Sequence, residues 1–202
     1  MAHYYHENPN TKSQRADIEY YFDGKLFRFV TDTDVFSRKG VDFGSDLLLK
    51  TVSAELQKRN ISGGRLLDLG CGYGVVGVVM QSFFPEMKVV LADINKRALS
   101  LSSENAEKNH AKEVEIISSD GWSGLEQSFD FVLTNPPVRA GKDVVFSFYE
   151  GAFSHLNEGG TLYVVLQKKQ GAPSSIAFLE KLFGNCEVLE KDAGYWIFAA
   201  RR

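Results

Sequence analysis

Residues 66–77 read Leu66-Leu67-Asp68-Leu69-Gly70-Cys71-Gly72-Tyr73-Gly74-Val75-Val76-Gly77. The apolar run at the start is typical of a buried β-strand, and the apolar run at the end is typical of a helix. Glycines are needed between them because the backbone must turn sharply and must let a ligand approach where a Cβ would collide. The segment therefore predicts a strand, a tight turn and a helix, with a ligand site at the turn.

From residue 64 onward, short β-branched runs alternate with longer helical patterns, which indicates βαβ units around a mostly parallel sheet. The predicted strands are residues 65–69, 88–93, 113–118, 129–134, 161–167, 186–190 and 195–200. The predicted helices are residues 75–84, 96–109, 144–156 and 174–183. Only four residues separate the last two strands, too few for a parallel crossover, so we expect that pair to be antiparallel.

The segment ahead of this pattern predicts a β-hairpin followed by a helix. Asp23-Gly24 lies between two β-prone runs and is a strong two-residue hairpin turn. Residues 42–59 have the periodicity of an amphipathic helix. We expect one structural domain, in which residues 1–60 (a flexible tail, the hairpin and the helix) pack on a catalytic core of residues 61–202.

Composition excludes several classes of protein. No apolar run approaches the roughly 18 residues of a membrane span, and residues 1–12 contain no signal-peptide core, so a cytoplasmic protein without a membrane partner is expected. The two cysteines, Cys71 and Cys186, lack metal-ligand spacing and predict reduced thiols and no metal. A net charge of −3 argues against a general nucleic-acid binder, but small groups of basic residues leave RNA open.

Two classes of cofactor fit the glycine-rich turn. Gly72, Gly74 and Gly77 satisfy the dinucleotide pattern, and Asp93 lies 21 residues after Gly72, about where such folds place a ribose-binding acid. Asp68, however, puts a carboxylate before the turn, where it would repel a pyrophosphate and attract the ammonium of a methionine moiety. A sulfonium-bearing zwitterion fits this charge better, while an NAD-dependent oxidoreductase stays as the alternative of another class.

Residues 68–74 closely resemble the first motif of class I S-adenosylmethionine-dependent methyltransferases. The resemblance implies a Rossmann-like, seven-stranded α/β sheet, mostly parallel with the last strand antiparallel. It also implies S-adenosyl-L-methionine as cofactor and S-adenosyl-L-homocysteine as product. Asp93 and Asp120 would then bind ribose and adenine, with Ile94 and Trp122 on the two faces of the adenine. The predicted cofactor-binding residues are Asp68, Gly70, Cys71, Gly72, Gly74, Asp93, Ile94, Asp120, Gly121, Trp122 and Asn135.

The run Thr134-Asn135-Pro136-Pro137-Val138 ends the fourth strand of the core and should face the cofactor. Two prolines make this loop rigid and leave it with carbonyl acceptors rather than amide donors. Acceptance of two N–H bonds by the Asn135 side-chain oxygen and the Pro136 carbonyl would aim the lone pair of an amine at the methyl group. The loop resembles that of the amine-methylating branch of the family, which predicts Asn135, Pro136 and Pro137 as the catalytic residues.

Val138 departs from the family pattern, because many relatives have Tyr or Phe at this position, where the ring stacks on the target base. Base stacking contributes on the order of 1 to 3 kcal/mol, so another aromatic side chain must supply it if the acceptor is a base. Phe36, Tyr73 and Trp122 are the candidates from the sequence.

Residues 36–45 and 135–142 resemble the matching segments of bacterial small-subunit ribosomal RNA guanine-N2 methyltransferases, within the methyltransferase small domain family; the likeness spans residues 20–200. It implies that the protein, as a monomer or homodimer, methylates guanine N2 in ribosomal RNA or the small ribosomal subunit. Basic side chains would hold phosphates. The predicted substrate-binding residues are Phe36, Arg38, Val138, Arg139 and Lys142. Alternatives are an N-methyltransferase of a protein glutamine, of DNA or of another RNA amine, or a binding module without activity.

Overall fold

The computed structural model describes residue 7 and residues 11–202, so most of the predicted tail lies outside the described residues. The elements are β1 (Ala16–Phe22), β2 (Lys25–Thr31), α1 (Phe43–Lys58), β3 (Gly63–Leu69), α2 (Val75–Phe83), β4 (Glu86–Asp93), α3 (Lys96–Lys108), β5 (Val114–Ser118), β6 (Phe129–Thr134), α4 (Lys142–His155), β7 (Leu156–Gln167), α5 (Ala172–Phe183), β8 (Glu187–Asp192) and β9 (Tyr195–Arg201).

Seven strands form the main sheet in the order β5-β4-β3-β6-β7-β9-β8. The pairs among β3 to β7 are parallel, whereas β9 pairs antiparallel with both β7 and β8. The predicted fold class is therefore confirmed, including the reversed last strand. Most boundaries lie within about two residues of the predicted ones, and the largest difference is at β7. This strand begins at Leu156 rather than at residue 161, because Leu156 pairs with Phe129 ahead of a register shift.

Helices cover both faces of this sheet. One apolar cluster joins alternate sheet residues to α1, α2 and α3, and a second cluster joins the other sheet residues to α4 and α5. Neighbours in a strand point to opposite faces, so Leu66 belongs to the first cluster and Leu67 to the second. Both faces are buried, which explains why the strands read as nearly continuous apolar runs.

The N-terminal hairpin forms as predicted, around a turn in which Asp23 and Gly24 both have positive φ, 43° and 77°. Strand β2 binds helix α3 through side-chain amides. Asn105, which is fully buried, accepts from Val30 N at 2.7 Å and donates to Val30 O at 2.9 Å. These hydrogen bonds attach the hairpin to the core in place of pairing with a strand of the main sheet. The predicted boundary at residue 60 lies between α1 and β3, and residues on both sides of it belong to one apolar cluster.

The carboxyl ends of β3 to β7 lie along one edge of the sheet, where open α/β folds bind their ligands. The chain reverses its direction of travel across the sheet between β3 and β6, which opens a crevice there. In the described part of the chain, no helix has the length and apolarity needed to cross a membrane. The same residues contain no group of three or more His, Cys, Asp or Glu side chains able to hold a metal ion.

Candidate active site

A cavity of about 470 Å³ opens at this edge of the sheet, a volume within the usual range for small-molecule sites. Its wall is made by the turn after β3, the end of β4, the loops after β5 and β6, the start of α1, and the facing ends of β7 and β9. It brings together most of the predicted site residues, namely Phe36, Asp68, Gly70, Cys71, Gly72, Asp93, Ile94, Asp120, Gly121, Asn135, Pro136, Pro137, Val138 and Arg139.

The glycine turn uses three of its glycines, Gly70, Gly72 and Gly74, for backbone conformation, and Gly74 has a φ of 89°. Gly70 and Gly72 have φ of 76° and 57°, in the left-handed region that favours glycine, and a Cβ on Gly72 would meet nothing within 4 Å. Gly77 serves packing instead, because a Cβ there would lie 2.1 Å from Leu91 Cδ2. The backbone is thus open to a ligand at the turn, while α2 packs closely on the sheet.

Asp68 is buried at the end of β3, with 3% of its surface exposed, and its Oδ2 accepts from Gly77 N at 2.9 Å. Burial raises the pKa of the Asp68 carboxyl to about 7, and the nearby charge of Asp93 acts in the same direction. The carboxylate therefore fixes the start of α2 and also faces the cavity.

Binding of the expected cofactor should strengthen as the pH rises through about 7, because a cationic ligand favours the ionised Asp68 and displaces its proton. In the absence of a ligand, the stability of the protein should change with pH in the opposite direction. The folded-state pKa lies above the ordinary 3.8, so the free energy of unfolding should fall as the pH rises from about 4 to about 7. Calorimetry in buffers of different ionisation enthalpy checks the proton release. Asp68→Asn should remove both dependences, and a wild-type affinity that does not change with pH would contradict the assignment.

Asp93 joins the end of β4 to the glycine turn. Its Oδ2 accepts from Gly72 N at 2.8 Å and its Oδ1 from Asn95 N at 2.9 Å. Burial raises the pKa of Asp93 even though these bonds oppose the shift. Each oxygen keeps lone pairs for further hydrogen bonds, as vicinal ribose hydroxyls require. Asn95 caps α3 by accepting from Arg97 N and Ala98 N, so Asp93 is not needed as the cap.

Asn135 is held at the end of β6 with its amide in a defined orientation. The Thr134 hydroxyl donates to Leu69 O at 2.8 Å and ties the ends of β6 and β3 together. The Asn135 Nδ2 lies 3.3 Å from Ser45 Oγ and 3.4 Å from Asp42 Oδ2, and donates to both. Among the described residues its Oδ1 has no hydrogen-bond partner, and the residue lines the cavity, so the amide presents an acceptor there.

The two prolines continue this rigid loop. Pro136 O accepts from Val138 N at 2.8 Å, and Pro137 O accepts from Ala140 N at 2.8 Å. One lone pair of the Pro136 carbonyl is therefore occupied within the loop. A carbonyl oxygen has a second lone pair, and the predicted acceptance of an amine N–H by Pro136 depends on that one.

The cavity wall also contains polar residues that were not among the predicted site residues, including Asp42, Ser45, Gln167 and Tyr195. Asp42 and Ser45 lie inside the segment 36–45, and an Asp directly ahead of a helical run, such as Asp42, is the signal of a helix N-cap. Gln167 and Tyr195 face each other across the β7–β9 pair. Their strands are far apart in sequence, so no local pattern could have found them.

Asp42→Ala should lower the rate of methyl transfer at saturating cofactor about 10-fold, because the Asn135 amide loses one of its two acceptors. The same change removes the N-cap of α1, where Asp42 accepts from Ser45 N at 3.2 Å, at a cost of about 1 kcal/mol in stability. Asp42→Asn keeps an acceptor for both donors and should restore the rate. Thermal unfolding and single-turnover kinetics separate the two effects; a rate loss shared equally by Ala and Asn would contradict the positioning role.

The structure corrects the predictions for Trp122 and Gly74. Trp122 lies outside the cavity wall, since its indole donates to Phe148 O at 3.1 Å and stacks on His155 at 4.6 Å. Burial of the indole against α4 keeps it from the predicted adenine site. Gly74 is also absent from the wall; its φ of 89° lies in the left-handed region that favours glycine, and a Cβ there would lie 3.2 Å from a Leu91 methyl.

Two predicted basic residues also lie away from the cavity wall. The Arg38 guanidinium donates to Gln14 O at 2.8 Å, and Lys142 is exposed with its ammonium 4.9 Å from the centre of the Phe146 ring. Arg139 alone of the predicted basic residues lines the cavity. Arg38 therefore contacts the backbone of Gln14, and phosphate contacts of Arg38 and Lys142 outside the cavity stay predictions.

The charge of the cavity fits a cationic ligand. Asp42, Asp68, Asp93 and Asp120 all line it, and among the described lining residues Arg139 is the one cationic side chain. A positively charged sulfonium and ammonium are favoured by this balance, and a pyrophosphate is not.

The turn itself is also poorly suited to phosphate, because four of its backbone amides are occupied. Gly70 N and Cys71 N donate to Ala92 O at 2.8 and 3.0 Å, and Gly74 N donates to Cys71 O at 2.9 Å. Gly72 N donates to Asp93. Dinucleotide and nucleotide turns bind phosphate with free amides at this place. The arrangement therefore fits S-adenosylmethionine and disfavours the alternative of an NAD-dependent oxidoreductase.

The chain is similar in sequence to proteins of two different names. Over 202 residues the chain is 44% identical to uncharacterized protein YbxB of Bacillus subtilis, covering 99% of this chain and 98% of that one. Over 170 residues it is 34% identical to ribosomal RNA small subunit methyltransferase C of Erwinia tasmaniensis, covering 82% of this chain and 47% of that protein. The chain thus spans about half the length of its relatives of that name.

A solved structure extends the likeness. The T. thermophilus 16S rRNA N2 G1207 methyltransferase (RsmC) in complex with AdoMet and guanosine matches with a TM-score of 0.85 at 28% identity, over 96% of this chain and 52% of that one. The sequence profile of the methyltransferase small domain covers residues 26–199. With its seven-stranded sheet and its acid-lined cavity at the glycine turn, the chain belongs to the methyltransferase small domain family of S-adenosylmethionine-dependent methyltransferases.

Proposed function

We propose that the protein transfers a methyl group to an exocyclic amine, namely N2 of a guanine in small-subunit ribosomal RNA. The observation that carries the proposal is the orientation of Asn135. Its two N–H bonds point to Asp42 and Ser45, which leaves its oxygen as an acceptor toward the cavity. An acceptor fixed in this way suits a donor NH₂ group.

The amino group of a purine is a weak nucleophile because its lone pair is delocalised into the ring. Asn135 Oδ1 and the remaining lone pair of Pro136 O would accept its two N–H bonds, which favours a pyramidal nitrogen and directs its lone pair. Bound S-adenosylmethionine supplies an electrophilic methyl group on a sulfonium. The protein needs no nucleophile of its own; burial raises the pKa of the Cys71 thiol well above its usual value, so this side chain stays protonated.

The choice of acceptor is supported by the relatives. Those named ribosomal RNA small subunit methyltransferase C and the solved 16S rRNA N2 methyltransferase act, by their names, on small-subunit ribosomal RNA. Arg139, exposed at the rim of the cavity beside the proline loop, has the charge to hold a phosphate of such a substrate.

The test is labelled methyl transfer to naked ribosomal RNA, to assembled small subunits and to a protein extract in parallel, followed by identification of the modified nucleoside. N2-methylguanosine in either RNA sample supports the proposal. Label in N6-methyladenosine or in protein glutamine would overturn the acceptor and keep the amine chemistry. Asn157→Ala serves as the control variant, because it removes an exposed asparagine amide that bonds Asp130 outside the cavity.

A further inference from the structure

The cavity has an aromatic side chain that the proline loop lacks. Val138 occupies the position at which a ring would stack on a base. Of the sequence candidates, Trp122 lies outside the cavity, and Tyr73 is buried with its hydroxyl donating to Gly40 O. Phe36 lines the cavity two residues after Asp34, whose carbonyl accepts from the Asn95 amide beside the end of β4.

Tyr195 is the aromatic residue at the side of Asn135. A Cβ built on Gly44 would lie 2.9 Å from Tyr195 Cε1 and 3.1 Å from Asp42 Oδ2, so the ring and the carboxylate both contact this glycine. Asp42 Oδ2 in turn accepts from Asn135. The start of α1 therefore holds the Asn135 amide and the Tyr195 ring next to each other.

Gln167 adds a hydrogen-bonding group to the same wall. It pairs with Tyr195 across the antiparallel strands, so the two side chains emerge on the same face of the sheet. Its Oε1 is buried and has no hydrogen-bond partner within the described residues. A buried acceptor without a partner costs free energy, which a ligand that donates to it would recover.

The spacing suits a nucleobase. Thr134 and Val164 are paired across the adjacent parallel strands β6 and β7. Asn135 follows Thr134 by one residue, and Gln167 follows Val164 by three. Their backbones are therefore about 7 Å apart along the strands and about 5 Å apart across them. Side chains from both positions can reach one edge of a single base.

We propose that Tyr195 and Gln167 bind the acceptor base: the ring of Tyr195 stacks on it, and Gln167 Oε1 accepts from the ring N–H next to its amino group. This inference rests on the proposed function and gives it a basis for guanine. Guanine has a donor N1–H beside its amino group, whereas adenine has an acceptor nitrogen there, which Gln167 would meet only after rotating its amide.

Guanosine titrated into the protein loaded with S-adenosyl-L-homocysteine provides the test. In protein carrying ¹³C-labelled tyrosine rings, the Tyr195 signal is identified by its loss in Tyr195→Phe. We expect that signal to move upfield and to saturate with guanosine. Tyr195→Leu should weaken guanosine binding about 10-fold or more, and Tyr195→Phe, which keeps the ring, by no more than about 2-fold. Gln167→Met, of similar shape, should weaken guanosine binding about 5-fold.

A Tyr195 signal that stays unmoved while guanosine binds would overturn the inference, and so would an absence of saturable guanosine binding. Affinity for S-adenosyl-L-homocysteine reports whether each variant is folded. If Tyr195→Leu does not fold, the shift of the Tyr195 signal in the wild-type protein still tests the inference. The labelled transfer to ribosomal RNA is scored separately on the wild-type protein. Guanosine stacking on Tyr195 without RNA methylation would keep the base site and reject the proposed substrate.

Discussion

Asn135→Ala should slow methyl transfer by about 10²- to 10³-fold while cofactor affinity stays within about 2-fold of wild type. Asn135 is also one of the predicted cofactor-binding residues, but its amide donates to Asp42 and Ser45 at the start of α1, so we expect it to act on the acceptor. Its loss removes the oriented acceptor that raises the reactivity of the amine, and leaves Asp68 and Asp93 in place. Single-turnover rates at saturating cofactor measure the first effect, and calorimetry measures the second.

The control for this variant is Asn157→Ala. Asn157 donates to Asp130 Oδ1 at 2.8 Å at the amino end of β7, outside the cavity, so its removal deletes a comparable amide–carboxylate bond without touching the site. Wild-type rates in Asn135→Ala would mean that the amine is held by other groups. Equal rate losses in both variants would point to stability rather than chemistry.

Asp93→Ala should weaken cofactor binding by about 10²-fold, the largest binding effect we expect from a single change. Two hydrogen bonds from ribose hydroxyls to a carboxylate contribute about 1.5 to 3 kcal/mol each before the remaining protein adjusts. The variant also frees Gly72 N, which donates to Asp93 at 2.8 Å and shapes the turn. The turnover rate at saturating cofactor should change far less than the dissociation constant.

Asp130→Ala is the matched control, because Asp130 Oδ2 accepts from a backbone amide, Arg65 N, at 2.7 Å in the same way but at the opposite end of the sheet. Its cofactor affinity, measured by calorimetry, should equal that of the wild type. A normal affinity in Asp93→Ala would reject the ribose role and would leave the carboxylate only its contacts to Gly72 and Asn95.

Predictions about single elements succeeded where the responsible physics is local. The reversed strand β9 follows from a connection too short for a crossover, and the I′-type turn follows from Asp23-Gly24. Each rests on backbone geometry that a few neighbouring residues specify.

Trp122 shows where such reasoning stops. The sequence places it two residues after Asp120, close to the expected adenine site, yet the indole turns to α4 and donates to Phe148 O. Gly151 makes room for that choice, because a Cβ there would lie 2.1 Å from the indole. The two positions are 29 residues apart, and no pattern within either segment indicates that they meet.

The chemistry at the strand ends could be read from residue order alone. Parallel strands must end at one edge of the sheet. The glycine turn with Asp68 ahead of it, Asp93 at the end of the next strand and Asn-Pro-Pro at the end of another strand therefore lie together. The part of the cavity wall proposed to contact the acceptor could not be read from residue order. Asp42 contacts Asn135, which lies 93 residues later in the sequence, and Gln167 lies beside Tyr195 only because their strands pair. Such contacts arise when helices and strands pack into a common core, and the side chains involved carry no mark of their future neighbours until that packing brings them together.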